Sequence, residues 1–273
     1  MDTTSSAAAV PLFTLQQGTA PLLISIPHVG TMIPDDIAAT MTPAARRIDD
    51  CDWHLDRLYA FATRLGASFL MPSCARYVID LNRPPDGVNL YPGQDTTGLI
   101  PVDTFGREPL YEDGRLPDEA EVARRLDTYW QPYHEALVAE LGVLNARHGR
   151  VLLWEAHSIR SGVPRLFEGR LPDFSFGTAD GASALPGLAD ELQTIVAGYG
   201  GYTAVANGRF KGGYITRAYG RPEAGVHAVQ LELAQCTYMD ESPPYAYDEA
   251  RAAQVAPLIE SVVQAALARV IAG

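Results

Sequence analysis

The sequence is poor in cysteine and in basic residues, and each shortage excludes a class of protein. Its three cysteines, Cys51, Cys74 and Cys236, are odd in number and far apart, with no CxxC spacing. We therefore expect free thiols in a reducing cytosol rather than a disulfide framework. Lysine and arginine total 21 against 33 aspartates and glutamates, a formal net charge of -12. Such a chain does not neutralise phosphates, which argues against nucleic acid or an anionic membrane as the main partner.

Long apolar runs are also scarce. The opening MDTTSSAAAVPLF has no basic region followed by an apolar stretch of signal-peptide length. No later segment approaches the roughly 18 uninterrupted apolar residues of a membrane span. We therefore expect a cytoplasmic protein with no membrane partner. Hydrophobic residues still make up 47% of the 273 positions, which suffices for the core of one large α/β domain.

Four common catalytic signatures are absent from the chain: HExxH, GxSxG, GxxxxGK(S/T) and GxGxxG. Their absence argues against a zincin, a nucleophile-elbow hydrolase, a P-loop enzyme and a dinucleotide-binding domain. Cys74 has no histidine near it in sequence, so a thiol hydrolase is an alternative without support.

Apolar runs of strand length alternate with helical patterns along the chain. Strands are predicted at 21–28, 67–73, 76–82, 151–157, 202–207 and 226–235, and helices at 43–65, 117–148 (kinked or split at Pro132), 188–199 and 247–271. This alternation predicts an α/β fold with a mixed, largely parallel sheet flanked by helices. We expect one domain over residues 1–273, with 1–9 flexible and 84–116 forming a long loop beside the active site.

Ionisable residues stand at or near the ends of three predicted strands: His28, His157 and Glu232. Ligands of open α/β sheets bind outside the carboxyl ends of strands. Two histidines and a carboxylate are a common open metal site, and a separate glutamate can take the proton from water. For each residue alone a structural role is the simpler interpretation, such as a buried salt bridge for Glu232. Strand alternation also puts Glu155 on the face of His157, where it would orient a ligand.

Six segments occur in the order that a known family shows. They are IPHVG (26–30), DCDWHLDRLY (50–59), RYVIDLNRP (76–84), WEAHS (154–158), NGRFKGGYITRAYG (207–220) and HAVQLELAQ (227–235). Together they resemble the N-formylglutamate amidohydrolase family, from about residue 10 to the C-terminus. The resemblance implies metal-dependent hydrolysis of N-formyl-L-glutamate to formate and L-glutamate in histidine degradation. It also implies a fold like that of zinc carboxypeptidase-like amidohydrolases, with a metal at the carboxyl edge of the sheet.

The same resemblance assigns a metal site. It implies one divalent ion, expected to be zinc, bound by His28 and His157, with Glu232 as the general base. Carboxypeptidases take a further ligand from a glutamate three residues after the first histidine, but HVGT (28–31) has no carboxylate there. Asp52 is the first choice for the third ligand because it aligns with the aspartate of the family motif. Asp50 and His54 are the reserves.

The implied substrate is a small molecule with two carboxylates, which a net charge of -12 would repel. Local guanidinium groups must outweigh that field, since they bind carboxylates in a bidentate manner. The resemblance points to Arg76, Asn82 and Arg83 for this role. Cations of a glycine-rich turn are the candidates for the second carboxylate, namely Arg209, Lys211 and Arg217.

Two further hypotheses stay open at this point. One is a related amidohydrolase that acts on another N-acyl amino acid or on a peptidoglycan fragment. The other is a non-catalytic binder of acidic amino acids that kept the fold. The sequence does not choose between zinc and other divalent metals, and it leaves the oligomeric state open.

Overall fold

One sheet lies at the centre of the computed structural model, which describes residues 10–273; the predicted flexible segment 1–9 lies outside the described residues. Within that range seven strands follow the order β1-β3-β2-β4-β7-β5-β6. They are β1 (Phe13–Gln16), β2 (Leu22–Ser25), β3 (Ser68–Pro72), β4 (Val151–Ile159), β5 (Phe174–Gly177), β6 (Ala204–Ala206) and β7 (Val226–Ala234). Neighbours are parallel except at β1–β3 and β5–β7. The predicted mixed, largely parallel sheet is confirmed.

Helices cover both faces of this sheet. They are α1 (Asp35–Ala38), α2 (Leu55–Leu58), α3 (Glu119–Arg125), α4 (Gln131–His148), α5 (Leu188–Tyr199), α6 (Tyr214–Tyr219) and α7 (Glu249–Ala272). Alternate residues of β4 serve the two faces, because Trp154 lies in the core layer of α5 and α7 whereas Leu153 lies in the layer of α4. The sheet is therefore buried on both sides, as its apolar central strands predict.

The predicted helix over 117–148 is interrupted just before Pro132. A π-helical segment, Leu126–Trp130, separates α3 from α4, and Pro132 follows in the first turn of α4. Proline has no N–H for the carbonyl four residues earlier and clashes with it, so the helix widens locally.

The helix α7 is long and apolar enough to cross a membrane by length and composition alone. In this fold it packs against the sheet. Val255, Leu258 and Val262 are among its fully buried side chains and belong to the main core cluster. Core packing thus accounts for the apolar side chains on the buried face of α7.

The prediction of one amphipathic helix over 43–65 is wrong. The segment contains a 3-10 turn (Ala45–Arg47), the short helix α2 and a second 3-10 turn (Ala60–Thr63). Ile48 and His54 adopt left-handed backbone conformations, with φ of 52° and 61°, which end any continuous helix. The break between them is the stretch that carries Asp52 to the sheet edge, where its N–H donates to the carbonyl of His28.

The predicted strand at 76–82 is also wrong. Tyr77, Val78 and Ile79 are buried, as their apolar character requires, but they lie in a turn that packs beneath α4. The sequence prediction also misses two strands, β1 at a sheet edge and β5 inside the stretch 159–187 that it treats as irregular. Residues 84–116 form no helix or strand, only isolated bridges such as Asp103 with Pro109.

Candidate metal and catalytic site

The two central strands place His157 beside Glu232. Strands β4 and β7, each of nine residues, are paired in parallel with His157 opposite Glu232. Opposite residues of paired strands point to the same face, so both side chains emerge together near the carboxyl edge. His28 follows the end of β2, the other neighbour of β4, and its ring centroid lies 5.0 Å from that of His157.

Asp52 completes a group of three possible ligands. Its Oδ2 lies 3.6 Å from His28 Nδ1 and 3.2 Å from His157 Nδ1. One ligand atom of each residue lies within 4.8 Å of the other two, and all three side chains are buried. The structure thus brings together the first choices of the sequence prediction, while their role as ligands stays a prediction.

The reserve residues for the third ligand lie in other hydrogen bonds. The carboxylate of Asp50 accepts from Tyr77 OH at 2.8 Å and from Phe105 N at 2.8 Å. His54 Nε2 contacts the carbonyl oxygen of Tyr245 at 2.8 Å. Asp50 therefore binds the long loop 84–116 through Phe105, and His54 contacts the segment that contains Tyr245.

The outer nitrogens of both imidazoles face fully buried carboxylates. His28 Nε2 lies 2.7 Å from Asp80 Oδ1, and His157 Nε2 lies 3.2 Å from Glu155 Oε2. An imidazole that binds a metal presents one lone pair to the ion and donates its other N–H to such an acceptor. Both rings also have Nδ1 toward Asp52, so the two Nδ1 atoms and the Asp52 carboxylate are placed to bind one cation.

The charges around these ligands also fit a divalent cation. Asp52, Asp80 and Glu155 are buried carboxylates. Among the described residues, Arg76 pairs with two of them, at 2.6 Å from Asp80 Oδ2 and 4.0 Å from Asp52 Oδ1, and no arginine or lysine pairs with Glu155. Burial disfavours the charged form of His157, but hydrogen bonds to Asp52 and Glu155 outweigh it and raise its pKa to about 10. Buried anions need such compensation. Two positive charges at this position would supply it, so the residues fit a metal ion.

Glu232 has a different environment from these carboxylates. Its side chain is buried, and burial raises its pKa to about 7 although the positive charge of His157 opposes the shift. Gln230 Nε2 donates to Glu232 Oε2 at 3.3 Å. A carboxyl group with this pKa can take up and release a proton near neutral pH.

A pocket opens over this group of residues. Loops around the carboxyl edge of the sheet form its walls, and its lining includes His28, Arg76, Asn82, Arg83, Tyr91, Thr97, Phe105, His157, Arg209, Phe210, Gly213, Gln230 and Glu232. Asn82 is held firmly there: its Oδ1 accepts from Ile215 N at 2.9 Å, and a Cβ at Gly213 would lie 2.3 Å from its Nδ2. Asn82 Nδ2 lies 3.1 Å from His157 Nε2.

Two guanidinium groups in the pocket carry no carboxylate partner within residues 10–273. Arg83 donates to the Thr97 carbonyl and hydroxyl oxygens and to its neighbour's carbonyl. Arg209 donates to the carbonyls of Leu166 and Asp95. Burial lowers the pKa of Arg209, and the nearby charge of Arg83 adds to the shift. Both groups are thus available to an anionic ligand.

The other predicted substrate-binding cations are placed differently. Arg76 lines the pocket but is tied to Asp80. Among the described residues, Lys211 and Arg217 stand outside the lining: Lys211 Nζ is 3.0 Å from Asp180 Oδ1, and Arg217 Nε donates to the carbonyl of Gly212. Of the predicted substrate-binding cations, Arg83 and Arg209 are therefore the two that line the pocket without a carboxylate partner among the described residues.

Sequence reasoning overlooks Asp80. The signal is present, because Asp80 interrupts the apolar run RYVIDLN just as Glu232 interrupts VQLELAQ. The sequence prediction places Asp80 in a strand and gives it no role, whereas the structure puts its carboxylate against His28.

Sequence comparisons find a family model and relatives that match most of this chain. A family model described as N-formylglutamate amidohydrolase matches residues 20–239. N-formylglutamate deformylase of Pseudomonas aeruginosa is 52% identical over 256 residues, covering 92% of this chain and 96% of the relative. The Pseudomonas putida protein of the same name is 49% identical over 257 residues, covering 94% of this chain and 96% of the relative.

Solved structures extend the comparison to the fold. The crystal structure of N-formylglutamate amidohydrolase from Ralstonia eutropha superposes with a TM-score of 0.80 at 29% identity, covering 94% of this chain and 98% of that one. A gene product of Agrobacterium tumefaciens shares the fold with a TM-score of 0.70 at 16% identity, covering 95% of this chain and 96% of that one. The family model and the two Pseudomonas relatives each match most of the sequence, so this chain belongs to the N-formylglutamate amidohydrolase family.

Proposed function

We propose that this protein is a metal-dependent N-formylglutamate deformylase, which hydrolyses N-formyl-L-glutamate to formate and L-glutamate in cytoplasmic histidine degradation. The names of the two Pseudomonas relatives support the substrate. The observation that carries the mechanism is the convergence of His28, Asp52 and His157 in a buried group. Glu232 stands beside them on the neighbouring strand.

The proposed metal ligands are His28, Asp52 and His157, and zinc is the expected ion. Two imidazoles and one carboxylate leave a coordination position open, as in catalytic rather than structural zinc sites. A divalent ion held there supplies a Lewis acid that polarises a carbonyl and lowers the pKa of water.

Glu232 is the proposed general base and acid. Its carboxylate takes one proton from the attacking water as the new C–O bond forms at the formyl carbon. It then delivers that proton to the amide nitrogen while the C–N bond breaks, which releases formic acid and the amine of L-glutamate. The acid ionises and its proton goes to the amine, so the products are formate and the ammonium form of L-glutamate. Glu232 is only 8% exposed, which limits exchange of its proton with bulk water before this second step.

The two pocket guanidinium groups that have no carboxylate partner among residues 10–273 are the proposed binding groups for the substrate. Arg83 and Arg209 would each receive one carboxylate, which explains how a protein of net charge -12 holds a dianion. Tyr91 supports this wall, since its ring centroid lies 5.4 Å from the Arg209 guanidinium carbon and its hydroxyl donates to the carbonyl of Gly212 at 2.9 Å. The formyl group is small, so selectivity would come mainly from these carboxylate contacts.

The test combines metal analysis with an assay of formate release. We expect about one zinc ion per chain, rapid formate release from N-formyl-L-glutamate, and loss of activity on chelation that added zinc restores. N-acetyl-L-glutamate is the matched substrate, since it keeps both carboxylates and changes only the acyl group. Faster acetate than formate release would favour another N-acyl amidohydrolase, and ligand binding without turnover would favour a non-catalytic binder.

A further inference from the structure

We infer that Asp80 is a positioning residue whose carboxylate fixes the ring of His28 for metal binding and ties it to the chain segment that carries Arg83. The inference rests on the proposed metal site and adds a residue that touches neither metal nor substrate. Asp80 acts through His28 on one side and through the backbone of Asn82 on the other.

Three donors converge on the Asp80 carboxylate, which has no exposed surface. Oδ1 lies 2.7 Å from His28 Nε2 and accepts from Asn82 N at 2.9 Å. Oδ2 accepts from Arg76 Nη2 at 2.6 Å. An isolated buried carboxylate is costly, and these partners together keep this one ionised and fixed in position.

An ionised carboxylate accepts hydrogen bonds and donates none, so the contact with Asp80 places the ring proton of His28 on Nε2. The lone pair of the neutral ring is then on Nδ1, the nitrogen that faces Asp52. His157 lacks so clear a constraint, because its Nε2 is near both the Glu155 carboxylate and the Asn82 amide. Asp80 is therefore the residue that determines which nitrogen His28 presents.

The same carboxylate connects the metal group to the substrate pocket. Asn82 N donates to it, and the next residue, Arg83, lines the pocket with one of the free guanidinium groups. A change at Asp80 therefore affects both walls of the site, with the metal ligand on one side and a carboxylate-binding arginine on the other.

The first test measures the zinc affinity of Asp80→Asn by competition with a chromophoric chelator. The variant keeps the size of the side chain but loses the charge. The matched control is Glu140→Gln, another buried carboxylate with two side-chain partners, Ser68 and Gln17, at the opposite edge of the sheet. We expect a Kd for zinc raised roughly 10- to 100-fold in Asp80→Asn and unchanged in Glu140→Gln, because second partners of metal-binding histidines contribute about that much to affinity. An unchanged Kd in Asp80→Asn overturns the inference.

A second test needs no variant at this position and so does not depend on its folding. Long-range ¹H–¹⁵N correlation spectra of the zinc-loaded wild type would identify the protonated nitrogen of each histidine ring, with His28 assigned by comparison with His28→Gln. We expect a proton on Nε2 of His28 and metal at Nδ1. The opposite assignment overturns the inference.

The two tests also separate this inference from the proposed function. Tight zinc binding by the wild type, with an Asp80→Asn variant that binds zinc equally well, removes the positioning role and leaves the metal site intact. A wild type that takes up no zinc refutes the metal dependence first, and the role of Asp80 falls with it.

Discussion

Replacing Arg209 by methionine removes one of the two pocket guanidinium groups that have no carboxylate partner among residues 10–273. It keeps a flexible apolar side chain to cover Tyr91 and Phe210. In the structure Arg209 uses Nε and Nη2 for two carbonyl oxygens, and its Nη1 has no partner within residues 10–273. A guanidinium has five N–H donors, so donors remain for a carboxylate.

The size of the effect follows from the kind of bond lost. Hydrogen bonds to charged groups contribute about 1.5–3 kcal/mol each. The side chain is only partly buried, so we take a total of about 2–3 kcal/mol rather than the sum of two full bonds, which corresponds to roughly 30- to 150-fold in kcat/KM. The loss should appear mainly in KM, because the carboxylate is bound in the ground state as well as in the transition state.

The assay is steady-state formate release from N-formyl-L-glutamate, with Lys211→Met as the matched control. Lys211 is close to Arg209 in sequence and pairs with Asp180 outside the pocket, so its replacement should change kcat/KM less than about twofold. Parallel measurements with N-formyl-L-glutamine, which lacks the side-chain carboxylate, would show which carboxylate Arg209 binds. Equal effects of the two variants would refute the assignment of Arg209.

Four shorter predictions concern other groups. Glu232→Gln should lower kcat by about 10²- to 10⁴-fold while zinc content by elemental analysis stays at the wild-type value; substantial activity would exclude Glu232 as the base. Asp52→Asn should lose zinc on dialysis, whereas Asp50→Asn should retain it. The reverse result would make Asp50, and not Asp52, the third metal ligand. Cys74→Ser should keep wild-type kcat, because burial raises the pKa of this thiol to about 11 and the thiolate is scarce; an inactive variant that is folded would revive the thiol mechanism. Burial lowers the pKa of His134 to about 3, so between that value and about 6.5 only the unfolded chain binds a proton at this residue, and stability falls as the pH drops. We expect this residue to reduce the free energy of unfolding, measured by urea titration, by about 2 kcal/mol from pH 7 to pH 5. His134→Gln should lack this contribution.

Local pattern predicts the parts of the fold that are governed by burial alone. The helix at 188–199 and the strands β4 and β7 occur where the sequence indicates them, because each has an apolar surface that only one secondary structure can bury. The convergence of His28 with His157 follows from the same reasoning, since the strands that carry or precede them are neighbours in the sheet.

Tertiary contacts decide the parts that the pattern misses. Leu55, Leu58 and Tyr59 are buried as an amphipathic helix over 43–65 would bury them. The helix is nevertheless short, because the backbone before it turns to bring Asp52 to His28. Several residues of 76–82 are apolar because they are buried, as in a strand. Their N–H groups donate to carbonyls outside the sheet, however, as Asp80 N does to the carbonyl of Leu99. The spacing of apolar residues along the sequence does not predict these long-range hydrogen bonds.

The pairing of β4 with β7 divides the molecule into a fixed part and an adjustable part. A one-residue slip between these strands would turn Glu232 away from His157, so the chemical step tolerates no insertion or deletion there. Arg83, Tyr91 and Arg209, in contrast, stand on connecting segments, which can change length without disturbing the sheet. Exchange of those segments would be the natural route to a hydrolase that cleaves the same bond in a different amino acid.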